Sequence, residues 1–391
     1  MARLPVPGSD DGAWGALLND FLLVGHREDG TLRAGQAGAL LVAAADSSAE
    51  SKLAANFVCD GTADQVQINA AVAALGPAGG TIQLSEGTFN CSGAVRLSRR
   101  TQLQGRGRAT ILKANGSWSA FDGSAQGALI EPADDGTDKT AVAHLALDGN
   151  RWSGGDCLGI YYNITRSDAF DEGPDAAHQF VDVYIYRTRR HGIHLTGAHM
   201  RANQLARLRV YNVGEEGVTE AHSFLIDCPD SFLSQCESGS SSGSGFYVAG
   251  SNNRFVGCKS WYSDLNGFSI HAVRNQFAAC EAQDNEGHGF YCGSGPNSFV
   301  GCHADSNSWN GASPTSSFDG FHIPWGSRIQ LVGCSAYDKN EGGRGHWQRY
   351  GFFIGSSAEH IQIIGTVMDN ATAGVGGSGA GNASNLILVN G

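Results

Sequence analysis

The chain has 391 residues, of which 55 are glycine and only 16% are charged, and its formal net charge is −12. The glycine share is about twice the usual one and indicates many turns, while the acidic balance argues against a nucleic-acid partner. No apolar stretch is long enough to span a bilayer, and the first residues lack the basic and apolar regions of a secretory signal. We therefore expect a protein that either stays in the cytoplasm or leaves by a non-classical route, such as assembly into a particle released by lysis.

The first 45 residues differ in character from the rest of the chain. They contain an apolar cluster too small to fold alone, made of Trp14, Leu17, Leu18, Phe21, Leu22 and Leu23. The stretch "RLPVPGSDDGAWGALLNDFLLVGHREDGTLR" resembles the short N-terminal attachment segments of phage-tail and related particle proteins. That resemblance implies docking to a particle or tail, and an irregular lid on the next domain is the alternative. Residues 36–52 are predicted to form a linker of small residues.

An amphipathic helix is predicted next, followed by short strands. Ile68, Ala71, Val72 and Leu75 recur at the i, i+3, i+4, i+7 spacing of one helix face. Gly79-Gly80 ends the pattern, and the stretches "TIQL", "AVRL", "TQLQG" and "TIL" are strand-like. A helix in this position would cover the open end of a solenoid core.

A repeat of about 22 residues dominates the chain from residue 180 onward. Its clearest copies place Phe-x-x-Cys at Phe255/Cys258, Phe277/Cys280 and Phe299/Cys302. A later glycine opens a short alternating strand in each copy, in "GIHL", "GVTE", "GFYV", "GFSI", "GFYC", "GFHI" and "GFFI". Such a repeat is typical of one coil of a parallel solenoid, in which equivalent residues stack about 4.8 Å apart.

The stacking predicts which way each column of residues points. The first and third residues after the glycine are mostly apolar and should face the core. The residues between them should face outward, namely His194, Thr219, Tyr247, Ser269, Tyr291, His322 and Phe353. The cysteines form an inward column, and we interpret them as small apolar side chains rather than as disulfide or metal partners.

The opening of the repeat region carries a family resemblance in its motifs. The motifs are Asp60-Gly61, Asp64, Ile68-Asn69-Ala70-Ala71, Gly79-Gly80-Thr81-Ile82, Glu86-Gly87-Thr88-Phe89 and Leu103-Gln104-Gly105-Arg106-Gly107. Together they resemble the start of pectate-lyase-type right-handed parallel β-helices, a group that includes rhamnogalacturonase and epimerase relatives and phage tail spikes. The resemblance implies this fold and a homotrimer. It implies no catalytic residue, because the calcium-binding aspartates and catalytic arginine of that group have no counterpart here.

Two groups of residues are candidates for binding a sugar chain. The outward column offers Tyr247, Tyr291 and His322, although aromatic residues favour exposed strand positions in any case. Two long inserted loops, "SNSWNGASPTSSFDGFHIPWG" and "DKNEGGRGHWQRYGFF", supply Trp309, Asp319, Trp325 and Trp347. Loops on a rigid scaffold concentrate binding residues, but tryptophans there also suit a subunit contact.

A first candidate for acid–base chemistry is the pair Asp264 and Glu286, which lie one 22-residue period apart. Carboxyl groups about 5 Å apart suit a retaining glycosidase, with one as nucleophile and the other as acid/base. They would also suit a shared cation, or raise one pKa by mutual repulsion. His288 follows closely enough to join them, and two solvated turn residues are the alternative interpretation.

A second candidate is the stretch "GEEGVTEAH", with Glu215, Glu216, Glu220 and His222. Glu220 falls in an inward column, where an unpaired charge is unfavourable. Either the strand bends outward at this point or Glu220 has a partner.

We therefore predict an all-β protein, with a single-stranded right-handed parallel β-helix at residues 46–391, an N-terminal capping helix and an attachment segment at 1–45. The predicted function is binding and cleavage of a polysaccharide by a glycosidase or lyase reaction through paired carboxylates. A non-catalytic glycan-binding or structural tail protein is the alternative. No cofactor is expected from these residues, although a divalent cation such as calcium suits the acidic pairs.

Overall fold

The structure, a computed structural model, describes residues 12–25, 39–116, 118, 127–152, 155–166, 175–215, 218, 220–309, 318–339 and 347–391. Its helices are Trp14–Gly25, Ala49–Ala54 and Gln65–Leu75, with 3-10 turns at Gly76–Ala78, Gly107–Ala109 and Ser378–Gly381. Within these ranges no helix is long and apolar enough to cross a membrane. The strands of successive coils pair in parallel, which confirms the predicted solenoid.

Each coil contributes strands to three parallel sheets. Sheet 1 contains Ala39–Ala43 with the short Phe57–Val58 beside it, then Gly80–Leu84, Thr101–Gln104, Gln204–Ala206, Phe232–Ser234, Arg254–Val256, Gln276–Ala278, Asn297–Val300 and Leu386–Asn390. Sheet 2 contains Gly87–Cys91, Thr110–Ala114, Arg209–Val213, Glu237–Ser241, Lys259–Ser263, Glu281–Gln283 and His303–Asp305. Four longer strands run through both sheets, namely Ala141–Asp148, Gln179–Tyr186, Ile329–Tyr337 and Gln362–Met368.

Sheet 3 forms a separate wall of the solenoid. It contains Val95–Leu97, Ala128–Pro132, Leu158–Asn163, Ile193–Thr196, Phe224–Asp227, Phe246–Val248, Phe268–Ile270, Phe290–Cys292, Phe321–Ser327, Tyr350–Glu359 and Ala373–Gly376. Its strands pair without a change of register from Ile160 to Ile323, so one residue of each coil lies over its equivalent in the next.

A single residue at positive φ makes the bend between sheet 1 and sheet 2 in each coil. Gly257 and Gly301 hold this position with φ of 62° and 60°, and Ala279 holds it between them with φ of 50°. Glycine adopts this conformation without strain, which is why two of three successive copies use it. The cysteine column follows directly after the bend.

The core consists of stacked columns of like side chains. The phenylalanines of sheet 3 are fully buried and stack ring on ring, with Phe246 and Phe268 centroids 4.6 Å apart. The predicted cysteine column is confirmed, because Cys258, Cys280 and Cys302 are buried, unpaired by disulfides and consecutive along the core. Their burial, together with contacts between neighbouring thiols, raises the pKa of Cys258 and Cys280.

A ladder of buried asparagines connects successive coils at the entry to sheet 1. The side-chain Oδ1 of Asn275 accepts the backbone N–H of Asn253 at 2.8 Å. Asn297 does the same for the N–H of Asn275, and Asn253 for that of Ser231, each at 2.8 Å. These bonds satisfy backbone donors that the turns would otherwise leave buried and unpaired.

The predicted helix is present as Gln65–Leu75, with Ile68, Ala71 and Val72 buried. It contacts Ala39–Ala43 and Val95–Leu97, so it covers the core at the N-terminal end of the solenoid. This confirms the capping role.

Two details of the sequence prediction are wrong. The linker predicted at 36–52 is not one in its described part, residues 39–52, because Ala39–Ala43 pairs with Gly80–Leu84 and the helix Ala49–Ala54 begins there. The strand predicted at "GVTE" lies instead at Phe224–Asp227, because this coil carries a longer turn before its strand. Leu225 therefore takes the outward position assigned to Thr219, which lies outside the described residues.

We expect Asn275→Ala to lower the free energy of unfolding by about 1–3 kcal/mol, because the buried N–H of Asn253 loses its acceptor. The neighbouring exposed Gln276 is the matched control, and Gln276→Ala should change stability by about 0.5 kcal/mol or less. Urea unfolding of both variants checks the difference. If both variants lost the same free energy of unfolding, the side-chain hydrogen bonds of the asparagine ladder would contribute nothing to stability.

Candidate functional site

A continuous stripe of ring side chains lies on the outer face of sheet 3. Its backbone is one register column, in which Tyr161, His194, Leu225, Tyr247, Ser269, Tyr291, His322 and Phe353 follow one another. Where Leu225 interrupts the rings, His191 and His222 fill the gap, and where Ser269 does, His271 fills it. The rings of Tyr161 and His222 are themselves buried. We call this surface the sheet 3 stripe. Its neighbouring rings have centroids 4.6–5.7 Å apart.

A second column borders the stripe, two positions before the first core residue of each sheet 3 strand. It contains His191, His222, Ser244, Asn266, His288, Asp319 and Tyr350. Most of these side chains accept the backbone N–H of the next member. Asn266 Oδ1 accepts the N–H of His288 at 2.9 Å, and His288 Nδ1 accepts that of Asp319 at 2.9 Å. We call this series the corner column.

The corner position determines the tautomer of its histidines and lowers their pKa. Because Nδ1 of His222 and of His288 accepts a backbone N–H, each neutral ring carries its proton on Nε2. Burial lowers the pKa of His288 to about 3 and that of His222 to about 4. His288 therefore stays neutral at physiological pH.

The strongest cluster of polar groups on the stripe centres on Asp319. Its side chain is fully buried, and its Oδ2 lies 2.7 Å from His322 Nδ1 and 2.8 Å from Arg349 Nη2. Oδ1 accepts Arg349 Nε at 2.9 Å and the N–H of Tyr350 at 3.2 Å. Burial opposes ionisation, but the hydrogen bonds from His322 and Arg349 outweigh it and lower the pKa of Asp319.

The ionised Asp319 orients the ring of His322. A carboxylate can only accept, so His322 Nδ1 carries a proton and the neutral ring has its lone pair on Nε2. The ring lies between two others, with the Phe353 centroid at 4.6 Å and the His288 centroid at 3.9 Å. This arrangement holds a base in one tautomer and one orientation.

The aromatic residues around His322 leave part of the site open. Tyr291 stacks at 5.7 Å from His322, and burial raises the pKa of its hydroxyl. Trp325 is 52% exposed and meets the Tyr291 ring edge-on at 6.2 Å. The sequence candidates Tyr291, Asp319, His322 and Trp325 are thus brought together, while Tyr247 lies further along the same stripe.

The ligand atoms of His288, Asp319 and His322 lie within 4.8 Å of one another, a spacing that a metal ion could use. The donor set does not fit one. Both carboxylate oxygens of Asp319 are bound by the Arg349 guanidinium, whose charge opposes a cation, and His288 Nδ1 is already an acceptor. Asp319 and Arg349 instead form a hydrogen-bonded ion pair.

The predicted pair Asp264 and Glu286 occupies equivalent positions of successive coils. The N–H of Asp264 bonds to Ser241 and that of Glu286 to Ser263, each at 2.8 Å. Asp264 is exposed, yet desolvation by the protein around it raises its pKa. His288, predicted to join this pair, is instead hydrogen-bonded to the backbone of Asp319.

One carboxylate of each predicted acidic cluster, Glu215 and Asp264, lines a groove of about 530 Å³ together with Arg151 and Ser240–Ser242 among others. Glu215 pairs with Arg189, whose Nε lies 2.6 Å from Oε1. Glu220 is exposed with φ of 64°, so its predicted inward position is wrong, because the strand starts later in this coil. Glu216 lies outside the described residues.

The remaining tryptophan candidates contact other parts of the chain. Trp309 packs edge-on against Tyr262 at 5.6 Å, beside sheet 2. The backbone N–H of Trp347 bonds to Asp338 Oδ2 at 2.5 Å.

Sequence reasoning missed Arg349 and the role of the corner column. Arg349 lies beside Tyr350, one residue before the corner position of its coil. Aligning "SFDG" with "QRYG" at their glycines would have placed Asp319 beside Tyr350, and Arg349 next to it. The irregular length of the preceding loop obscured that alignment.

We expect the protein to lose stability as the pH falls from 6.5 towards 4. The unfolded chain protonates its histidines near pH 6.5, whereas native His288 does so only near pH 3, so acid favours unfolding by about 2 kcal/mol per such histidine at pH 5. His288→Asn should reduce this pH dependence with little change at pH 7, because Asn266 makes the same corner bond. Thermal unfolding at pH 7 and pH 5 measures both effects. A parent protein equally stable at both pH values would contradict the assignment.

The comparisons with known proteins agree with this architecture. Residues 173–336 match the family described as the right handed beta helix region. No curated protein matches the chain significantly.

Several solved structures share the fold at low sequence identity. The A-module of mannuronan C-5 epimerase AlgE6 from Azotobacter vinelandii has a TM-score of 0.57 and 14% identity, over 85% of this chain and 96% of that one. The enzymatically active domain of tailspike protein 2 from bacteriophage CBA120 has a TM-score of 0.51 and 16% identity, over 83% and 43%. The Dettilon tailspike protein has a TM-score of 0.51 and 12% identity, over 88% and 70%. This chain has the right-handed parallel β-helix fold, as its opening motifs and its repeat predicted.

Proposed function

We propose that this protein binds a polysaccharide along the sheet 3 stripe and cleaves it beside His322 by a lyase reaction. The observation that carries the proposal is the His322–Asp319 pair, 2.7 Å apart, set in an unbroken row of rings. A base on an outer surface that is oriented by a buried carboxylate is the arrangement expected at an acid–base site.

The stripe suits a linear polymer of sugars. Its rings recur at about 4.8 Å per coil, and aromatic side chains offer flat apolar faces next to polar edges. Exposed Trp325 and half-buried Tyr291 and Phe353 flank the base, so a chain lying on the stripe passes over His322.

The groups around His322 match the steps of an elimination. His322 Nε2 removes the proton from a sugar carbon next to a carboxyl group, the bond to the glycosidic oxygen breaks, and a carbon–carbon double bond forms. The Tyr291 ring stacks 5.7 Å from that of His322, and its hydroxyl, protonated at neutral pH like any phenol, donates its proton to the leaving oxygen. Arg349 binds Asp319 through Nε and Nη2, and its guanidinium lies 4.9 Å from the ring centroid of Phe353 on the stripe, where it can bind the substrate carboxylate.

The named activities of structurally similar proteins support a polysaccharide substrate. Two are mannuronan C-5 epimerase modules, and a third is the enzymatically active domain of a tailspike. Identities of 12–16% relate these proteins by fold, so the proposed chemistry rests on the geometry around His322.

A second candidate is hydrolysis in the groove that holds Glu215 and Asp264. The specific observation is the contrast between the two carboxyl groups, since Asp264 has a raised pKa and Glu215 is paired with Arg189. Such contrast separates a proton donor from a nucleophile or base in glycosidases. Glu286, at the equivalent position of the next coil, is the alternative partner of Asp264.

The proposed assembly follows the tailspike likeness. We propose a homotrimer that docks to a particle through the N-terminal segment before the strand Ala39–Ala43, and that reaches a surface polysaccharide in this form. Sedimentation equilibrium should give three times the chain mass, and a monomer at micromolar concentration would contradict the trimer.

We expect His322→Asn to reduce turnover on uronate polymers such as alginate and polygalacturonate by about 10²–10⁴-fold, the usual contribution of a general base. His303→Asn is the matched control, because His303 is an exposed histidine on sheet 2, outside the stripe. Asp319→Asn should retain the corner bond to Tyr350 but shift the pH profile, since the carboxylate no longer supports His322. The assay follows unsaturated ends and reducing ends separately.

The two readouts separate the candidate sites. A lyase at His322 produces an unsaturated end with every new reducing end, and Asp264→Asn or Glu215→Gln leaves it active. Reducing ends without unsaturation, abolished by Asp264→Asn, would move the reaction to the groove. Binding with neither product would leave a glycan-binding protein and remove the lyase proposal.

A further inference from the structure

Sheet 2 carries a separate group of aromatic residues on its outer face. Tyr186, Tyr211, Gly239 and Trp261 follow one another in one register column. The ring centroids of Tyr211 and Trp261 lie 5.6 Å apart, and Tyr184 lies 5.6 Å from Tyr211. All of these rings are half-buried, so each keeps a face or an edge in solvent. We call this surface the sheet 2 platform.

Gly239 makes the platform continuous. A Cβ at this position would lie 2.6 Å from the Tyr211 ring and 3.0 Å from Trp261 Nε1. The backbones of Tyr211 and Trp261 are two rungs apart, about 9.6 Å, and their rings meet only because the rung between them carries no side chain. A side chain here would wedge the rings apart.

A row of paired charges borders the platform. Arg209, Glu237, Lys259 and Glu281 follow one another in the adjacent register column and alternate in sign. Arg209 Nε lies 3.3 Å from Glu237, and Lys259 Nζ lies 3.1 Å from Glu281. These four residues help to line a groove of about 510 Å³.

The ring platform is joined to this polar border by hydrogen bonds. The Tyr211 hydroxyl donates to Glu237 Oε2 at 2.8 Å, and Lys259 Nζ lies 5.4 Å above the Trp261 ring. Lys259 also donates to Gln283 at 2.9 Å. Rings, carboxylates and an amide thus face solvent together along the strands of sheet 2.

We propose that the sheet 2 platform is a second saccharide-binding site, specific for a neutral oligosaccharide. The four charges along its border cancel and are matched in pairs, so beside the Tyr211 and Trp261 rings this border offers no excess cation to an anionic polymer. The Arg108 guanidinium lies at the far end, 3.7 Å from the Tyr184 ring centroid. Carboxylates in such pairs retain lone pairs that accept hydrogen bonds from sugar hydroxyls. The Tyr211 and Trp261 rings supply a flat apolar surface for the face of a sugar ring. The site shares no residue with the sheet 3 stripe and does not depend on the proposed lyase reaction.

The test is calorimetric titration of the full chain with neutral hexasaccharides of glucose, galactose and mannose, and with a hexasaccharide of mannuronate. At least one neutral hexamer should bind, and Trp261→Ala should weaken it at least tenfold while Trp261→Phe largely restores it. Trp325→Ala, on the sheet 3 stripe, should leave this binding unchanged. Gly239→Ala keeps every ring but separates them, and it should weaken binding as well.

Circular dichroism and chain mass are measured for each variant. If Trp261→Ala fails to fold, Gly239→Ala decides the question. No binding of any neutral hexamer, or binding unaffected by both variants, would overturn the proposal. A change of oligomeric state in Trp261→Ala would also overturn it, because the platform would then be a contact between copies of the chain. The lyase proposal is tested separately, by the turnover of the His322→Asn variant. Either the lyase proposal or the saccharide-binding proposal can therefore fail without the other.

Discussion

The structure depends on the register between successive coils. Because each coil lies directly over the last, every position becomes a column of like environments, about 4.8 Å per step. Inside, this aligns Phe224, Phe246 and Phe268 with centroids 4.4 and 4.6 Å apart. Outside, the same register converts single exposed residues into continuous surfaces. Repeats stabilise one another through such neighbour contacts rather than through a distant core.

The corner column shows how this constraint accommodates chemistry. The turn into sheet 3 leaves a backbone N–H that needs an acceptor, and histidine, asparagine and aspartate all supply one. His288 and Asp319 therefore serve the fold, and Asp319 also orients His322. A polar cluster at this corner accepts hydrogen bonds from buried backbone N–H groups. Its burial therefore stabilises the turn whether or not a substrate is bound.

The 22-residue repeat is visible in the sequence, and it predicts most of the residues that stack over their equivalents in successive coils. The core phenylalanines, the cysteine column, the capping helix and the outward series with His194, Tyr291 and His322 all follow from spacing alone. Insertions break the prediction, since the longer turn around Glu220 shifted its strand by several residues. The hydrogen bonds of Asp319 with His322 and Arg349 join a corner residue to its neighbours. They depend on the direction in which each side chain points, and the spacing of residues in the sequence does not predict that direction.

The most direct measurement is a crystal structure of the His322→Asn protein soaked with a mannuronate hexasaccharide. If in-register rings form a substrate track, the sugar chain lies along sheet 3, with one unit over Tyr291 and Phe353 and its carboxylate next to Arg349. A hexasaccharide bound only in the groove of Glu215 and Asp264, or absent from sheet 3 at saturating concentration, would contradict this.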